Sequence, residues 1–151
     1  MATIKSEIQT ASALTVTGFN SLASATYCVS NTITHTTNDP LDVFVEVLTT
    51  PSTTTAGNKQ LVVFAKASAD GTNFSSGPET GTTTTDEPDL YFVGTVPTNT
   101  TSAHRRTFSL AAAYGGILPA ATKLVLKNDM GVALAASGNS VQIAEVWGVA
   151  V

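Results

Sequence analysis

The chain has 151 residues, enough for one domain with a core of its own. Its formal net charge is −4, with 7 basic against 11 acidic residues, which excludes the broad basic face that nucleic-acid binding needs. A single cysteine, Cys28, excludes an internal disulfide, and no run approaches the ~20 apolar residues of a membrane-spanning helix.

Residues 1–12 read as an N-terminal arm or edge strand, ahead of a single domain over 13–151. They contain no apolar leader segment, so the protein is expected to be made in a cytosol and to stay soluble. Strands are predicted at ALTVTGF (13–19) and TYCVSNTITH (26–35), and Asn38-Asp39-Pro40 then turns the chain. LDVFVEVLTT (41–50) alternates most clearly, with Val43, Val45 and Val47 on one face and Phe44, Glu46 and Leu48 on the other. Pro51 to Asn58 is too polar to be expected in the interior. QLVVFAKASA (60–69) sets Leu61, Val63, Ala65 and Ala67 against Val62, Phe64 and Lys66.

Asp70-Gly71 signals a tight turn. Asn73 to Asp89 then forms a long connection of Gly, Pro, Ser and Thr, expected as a solvated loop. Loops of that length are often functional, so partner binding is the alternative. Further strands follow at LYFVGTV (90–96), RRTFSLAAA (105–113), KLVLKND (123–129) and SVQIAEVWGVAV (140–151). The alternation of Phe108 and Leu110 predicts a strand running into Gly115-Gly116, while the alanine run leaves a short helical turn as the alternative. About eight strands at this spacing, on a chain that is about a quarter serine and threonine, predict an all-β fold. The expected architecture is an antiparallel two-sheet sandwich, jelly-roll-like.

No catalytic motif emerges. G-x-S-x-G, the P-loop and G-x-G-x-x-G are all missing, so neither an enzyme nor a cofactor is expected. His35 and His104 stand among polar residues without cysteine or histidine at metal-ligand spacing. Both are expected at the surface or at a strand edge, with no metal. Cys28 falls in an apolar alternation and is expected to be buried. Asp86, Glu87 and Asp89 form the densest acidic group. One loop cannot oppose two of them across a sugar bond, and the spacing lacks the glycine-turned calcium pattern. His104, Arg105 and Arg106 are the local basic cluster, and an arginine fork suits carboxylates of another protein. These two groups are the candidate partner contacts. Trp147 is expected in core or intersubunit packing.

The stretch LVVFAKASADGTNFSSGPETGTTTTDEPDLYFVGTVP, followed by FSLAAAYGGILPAATKLVLKNDMGVAL and a strand near AEVWG, resembles small virion proteins of tailed bacteriophages. The similarity is to jelly-roll decoration, or cement, proteins of the capsid exterior, and spans about Leu41 to Gly148. It implies a structural protein on the outer surface of the virion, synthesised in the host cytoplasm. Its partners would be the major capsid protein and further copies of itself, as a dimer or trimer, with no nucleic acid or membrane. A carbohydrate-binding module, or a host-contacting tail or baseplate component, is the alternative. Ser68-Ala69-Asp70-Gly71-Thr72-Asn73-Phe74 resembles a turn of discoidin-type sugar-binding jelly rolls, and a purely structural turn explains the same residues.

Overall fold

The computed structural model describes residues 3–84 and 86–150. Met1 and Ala2 of the predicted arm, Thr85 of the threonine run and Val151 of the last strand lie outside the described residues.

Two antiparallel sheets face each other. The first contains β1 (Ile4–Ile8), β2 (Ser12–Leu14), β6 (Asp42–Thr49), β9 (His104–Ser109) and β11 (Ser140–Ala150), in the order β1-β11-β6-β9 with β2 also beside β11. The second contains β3 (Val16–Thr17), β4 (Tyr27–Ser30), β5 (Ile33–Thr34), β7 (Gln60–Ser68), β8 (Tyr91–Pro97) and β10 (Ala121–Asp129). Their order is β3-β4-β10-β7-β8, with β5 also beside β10.

The pairings nest. β1 and β2 join β11, β4 and β5 join β10, β6 joins β9, and β7 joins β8. First pairs with last and each inner pair follows, which is a long antiparallel hairpin rolled into a jelly roll. The expected all-β sandwich is therefore what this chain forms.

Period-2 alternation produces the core. Val43, Val45 and Val47 point inward from the first sheet and meet Leu61, Val63, Leu124 and Leu126 of the second, all fully buried. Cys28 joins them as expected, and burial pushes its thiol up to about 12. Gly94 lets the β9 side chain Phe108 lie on the β8 backbone, because a Cβ there would come within 2.5 Å of the Phe108 ring.

Three local expectations are corrected. The segment predicted as one strand at 13–19 splits at Thr15, with β2 in the first sheet and β3 in the second. The strand predicted over 105–113 stops at Ser109, and a helical turn, α1 (Leu110–Ala113), replaces its end. The Ser109 hydroxyl accepts the Ala112 amide at 3.0 Å and Asp42 Oδ1 accepts the Ala111 amide at 2.9 Å, so side chains satisfy the free amides of the turn. Gly115 and Gly116, at φ +76 and +108, then close it. Within Pro51 to Asn58, Pro51 and Thr55 are buried, and the Thr55 hydroxyl donates to the Thr98 carbonyl at 2.6 Å.

Candidate functional site

The outer faces of the two sheets differ. On the second sheet, Tyr27, Val29, Val62, Phe64 and Val125 form a second apolar cluster facing away from the core. Three of the chain's lysines, Lys66, Lys123 and Lys127, stand on that face, with Lys66 and Lys123 directly paired across β7 and β10. The connection between β7 and β8 is solvated as expected, with most of its described residues exposed, but it is also anchored along one side to this face.

The connection is fastened residue by residue. It begins in a turn built on Asp70, whose Oδ1 accepts the amides of Thr72 and Asn73 at 2.8 and 2.7 Å and the Ser68 hydroxyl at 2.9 Å. Those hydrogen bonds, led by the Asn73 amide, hold the carboxyl well below the usual carboxylate range. The Phe74 ring lies 4.6 Å from the Lys123 ammonium. The Lys66 ammonium donates to the Gly77 carbonyl and the Glu79 carboxylate. Gly81 and Thr82 exchange backbone hydrogen bonds with Tyr27, extending the sheet edge. A 3₁₀ turn, Glu87–Asp89, closes the strap. There the Glu87 carboxylate accepts the Tyr27 hydroxyl and sits 2.5 Å from the Lys127 ammonium. The lysine bond comes first among the causes that lower the Glu87 carboxyl, and burial raises the Tyr27 phenol.

The two predicted contact groups therefore have different environments. Glu87 is committed to Lys127 and Tyr27, whereas Asp86 and Asp89 are exposed at the tip of the strap. His104, Arg105 and Arg106 lie on β9, one of the two edge strands of the first sheet. Alternation splits them. Arg106 points toward the second sheet, donating to the Thr95 carbonyl at 2.8 Å and lying over the Phe108 ring. Arg105 points outward and pairs with Glu46 at 2.5 Å. The His104 ring is held at Thr100. The acidic and basic groups sit on different sheets.

Among the described residues, no comparable strap crosses the outer face of the first sheet, although Val146 on it is buried. Rows across it run Ile8, Val146 and Asp42, then Ala144, Phe44 and Ser109, then Gln142, Glu46 and Thr107. Ile4 and Leu41 meet over Gly148, where a Cβ would stand 3.3 and 3.4 Å from them. A groove of about 170 Å³ follows Phe44, Thr107, Gln142 and Ala144. The face mixes partly exposed apolar side chains with the Arg105–Glu46 ion pair. Nothing in the one-dimensional pattern marked it, because both sheets alternate alike and only the strap distinguishes their exteriors.

One end of the sandwich holds a cleft of about 440 Å³ between His35, Asp39, Leu41, Ile117 and Pro119. His35 is buried, against the expectation of a surface histidine. Its Nε2 is 3.0 Å from the Thr122 hydroxyl, Nδ1 has no hydrogen-bond partner among the described residues, and burial lowers its pKa. The Trp147 indole, half-buried, donates to Glu145 at 2.7 Å. Among the described residues, no three His, Cys, Asp or Glu side chains are grouped to hold a metal, and no helix is long and apolar enough to cross a membrane.

No protein-family model matches the chain, and no curated protein matches it.

Proposed function

We propose that this chain is a structural virion protein that binds the outer surface of a phage capsid and stabilises the shell by bridging major capsid protein subunits. It performs no catalytic step and carries no cofactor. The observation that carries the reading is the asymmetry of the sandwich. One outer face is strapped shut by three lysine contacts, while the other carries no strap among the described residues and leaves Phe44 and Ala144 partly exposed. The resemblance to jelly-roll cement proteins supplies the partner.

A sandwich locked by a common core is a rigid body, so docking orders few residues beyond interface side chains. A standard interface buries ~800 Å² per partner, within reach of one sheet face and its margins. Arg105 beside Glu46, Arg106 at the same edge, and Asp86 and Asp89 on the strap provide charged groups around such a contact. When several copies engage neighbouring subunits, each later contact benefits from high effective concentration. The assembled layer then resists separation of the shell.

Co-sedimentation of the protein with undecorated capsids of its source phage, beside a glycan panel, tests this. Saturable capsid binding without glycan retention is expected. Phe44→Asp and Thr107→Arg should abolish it, while Asp86→Lys and Asp89→Lys report on the strap. Retention on a sugar without capsid binding would overturn the proposal and direct attention to Asp70 through Phe74.

A further inference from the structure

Among the described residues, one free edge of the first sheet is β1, Ile4-Lys5-Ser6-Glu7-Ile8, and all five residues are exposed. Ile4 and Ile8 are 73% and 62% exposed, among the most exposed large apolar side chains described. An open edge with apolar side chains is a template for another strand.

The backbone fixes which groups are on offer. β1 runs antiparallel to β11 with Ser6 opposite Gly148 and Ile8 opposite Val146. The Gln9 amide donates to the Glu145 carbonyl at 2.8 Å. In an antiparallel ladder the hydrogen-bonded residues alternate, so Lys5 and Glu7 share the parity of Gln9 and turn their backbone groups toward β11. Ile4, Ser6 and Ile8 turn theirs to the free edge.

We infer that β1 pairs antiparallel with β1 of a second copy of this chain, about a two-fold axis at Ser6. That register sets Ser6 against Ser6 and Ile4 against Ile8 as hydrogen-bonded pairs, using the outward backbone groups. It sets Lys5 against Glu7 at the intervening positions, where side chains approach most closely. Sliding by two residues, the next register with the same backbone parity, opposes Lys5 to Lys5 or Glu7 to Glu7. Like charges directly opposite repel, so the charge order selects one register. Lys5 alone would only protect the edge. Glu7 two residues on gives it a partner in a symmetry-related strand. The isoleucines of both copies, with Leu41 beside Ile4, then form one apolar strip across the joined sheet. The contact is isologous, as a two-fold dimer requires.

The dimer does not depend on the capsid reading, since it is measured on the free protein. Sedimentation over a concentration series reaching about 1 mM should show the 15.5 kDa chain passing to a dimer. Lys5→Glu and Glu7→Lys, changes on exposed side chains, should each weaken self-association by about tenfold or more. Mixed in equal amounts, the two variants should dimerise again, because each supplies the charges the other lacks. The double variant K5E/E7K should dimerise alone. Ser6→Pro, which removes an outward amide, should leave a monomer. A wild-type protein that stays monomeric, or single variants that associate as the wild type does, would overturn the inference. So would an equal mixture that stays monomeric.

Discussion

The buried ammonium of Lys66 lies 2.6 Å from the exposed carboxylate of Glu79, and that contact pins the centre of the strap to the second sheet. The pair is unequal. Lys66 cannot reach water once the strap is closed, whereas Glu79 can. Removing the acid strands a buried donor with only the Gly77 carbonyl, a loss of about 1–3 kcal/mol. Replacing the lysine by an apolar residue of similar length strands no buried charge: Glu79 stays hydrated, and only the part-buried Gly77 carbonyl loses a donor. Glu79→Ala should therefore lower the urea midpoint more than Lys66→Met does. Equal losses, or the reverse order, would mean that the pair does not hold the strap.

Glu87 gives the strap an acid limit. Its carboxyl is lowered by the Lys127 bond and then by Tyr27. A lowered acid contributes stability that is fully present above its unfolded value, 4.5, and lost as pH falls through the lower folded value. The wild type should melt above Glu87→Gln at neutral pH, and the gap should close as pH falls below about 4.5. Melting curves from pH 7 to 3 measure it, and a gap independent of pH would rule out the carboxylate as its source.

The sheets were legible in the sequence, and the strap was not. Val43, Val45 and Val47 announce their face because a strand repeats every two residues, and all three are fully buried. The same alternation exposed Val62, Phe64 and Lys66 as a second, less explicable row. Only three-dimensional proximity shows that Phe74, Glu79 and Glu87, spread over an irregular stretch, meet Lys123, Lys66 and Lys127. Polar composition at 73–89 suggested solvent on both sides, yet it reflects a segment with one side on the sheet. The helical turn after Ser109 stood only as the alternative to a strand, for a different reason. Phe108 and Leu110 fit both a strand and a capped turn, and the deciding bond comes from Asp42, distant in sequence. His35 was misplaced because its neighbours are polar, although Ile33 and Thr34 already carry it along β5 toward Thr122.

His35 adds a second, separate pH window. Burial lowers its pKa from 6.5, and the Glu145 charge only partly opposes this. The unfolded chain therefore takes up a proton before the folded chain does. The contribution is fully present above 6.5 and falls as pH drops toward the lowered folded value. Melting temperature should be level above about pH 7 and decline toward pH 5, ahead of the Glu87 window. His35→Gln should flatten that part of the profile, and a decline that persists in the variant would assign it to another group.

Gly94 of β8 and Phe108 of β9 pack against each other between two edge strands. A Cβ on Gly94 would stand 2.5 and 2.9 Å from two carbons of the ring, closer than side-chain atoms approach. Gly94→Ala should therefore cost about 1–3 kcal/mol through overpacking. Phe108→Leu should also destabilise, by removing ring contacts in the core. Together the two changes should cost less than their sum, because the smaller side chain vacates the space that the new methyl needs. Urea denaturation of the two single variants and the double variant closes the cycle. Strict additivity would show that the β8 backbone relaxes away from the ring, and that Gly94 is not what lets Phe108 reach the core.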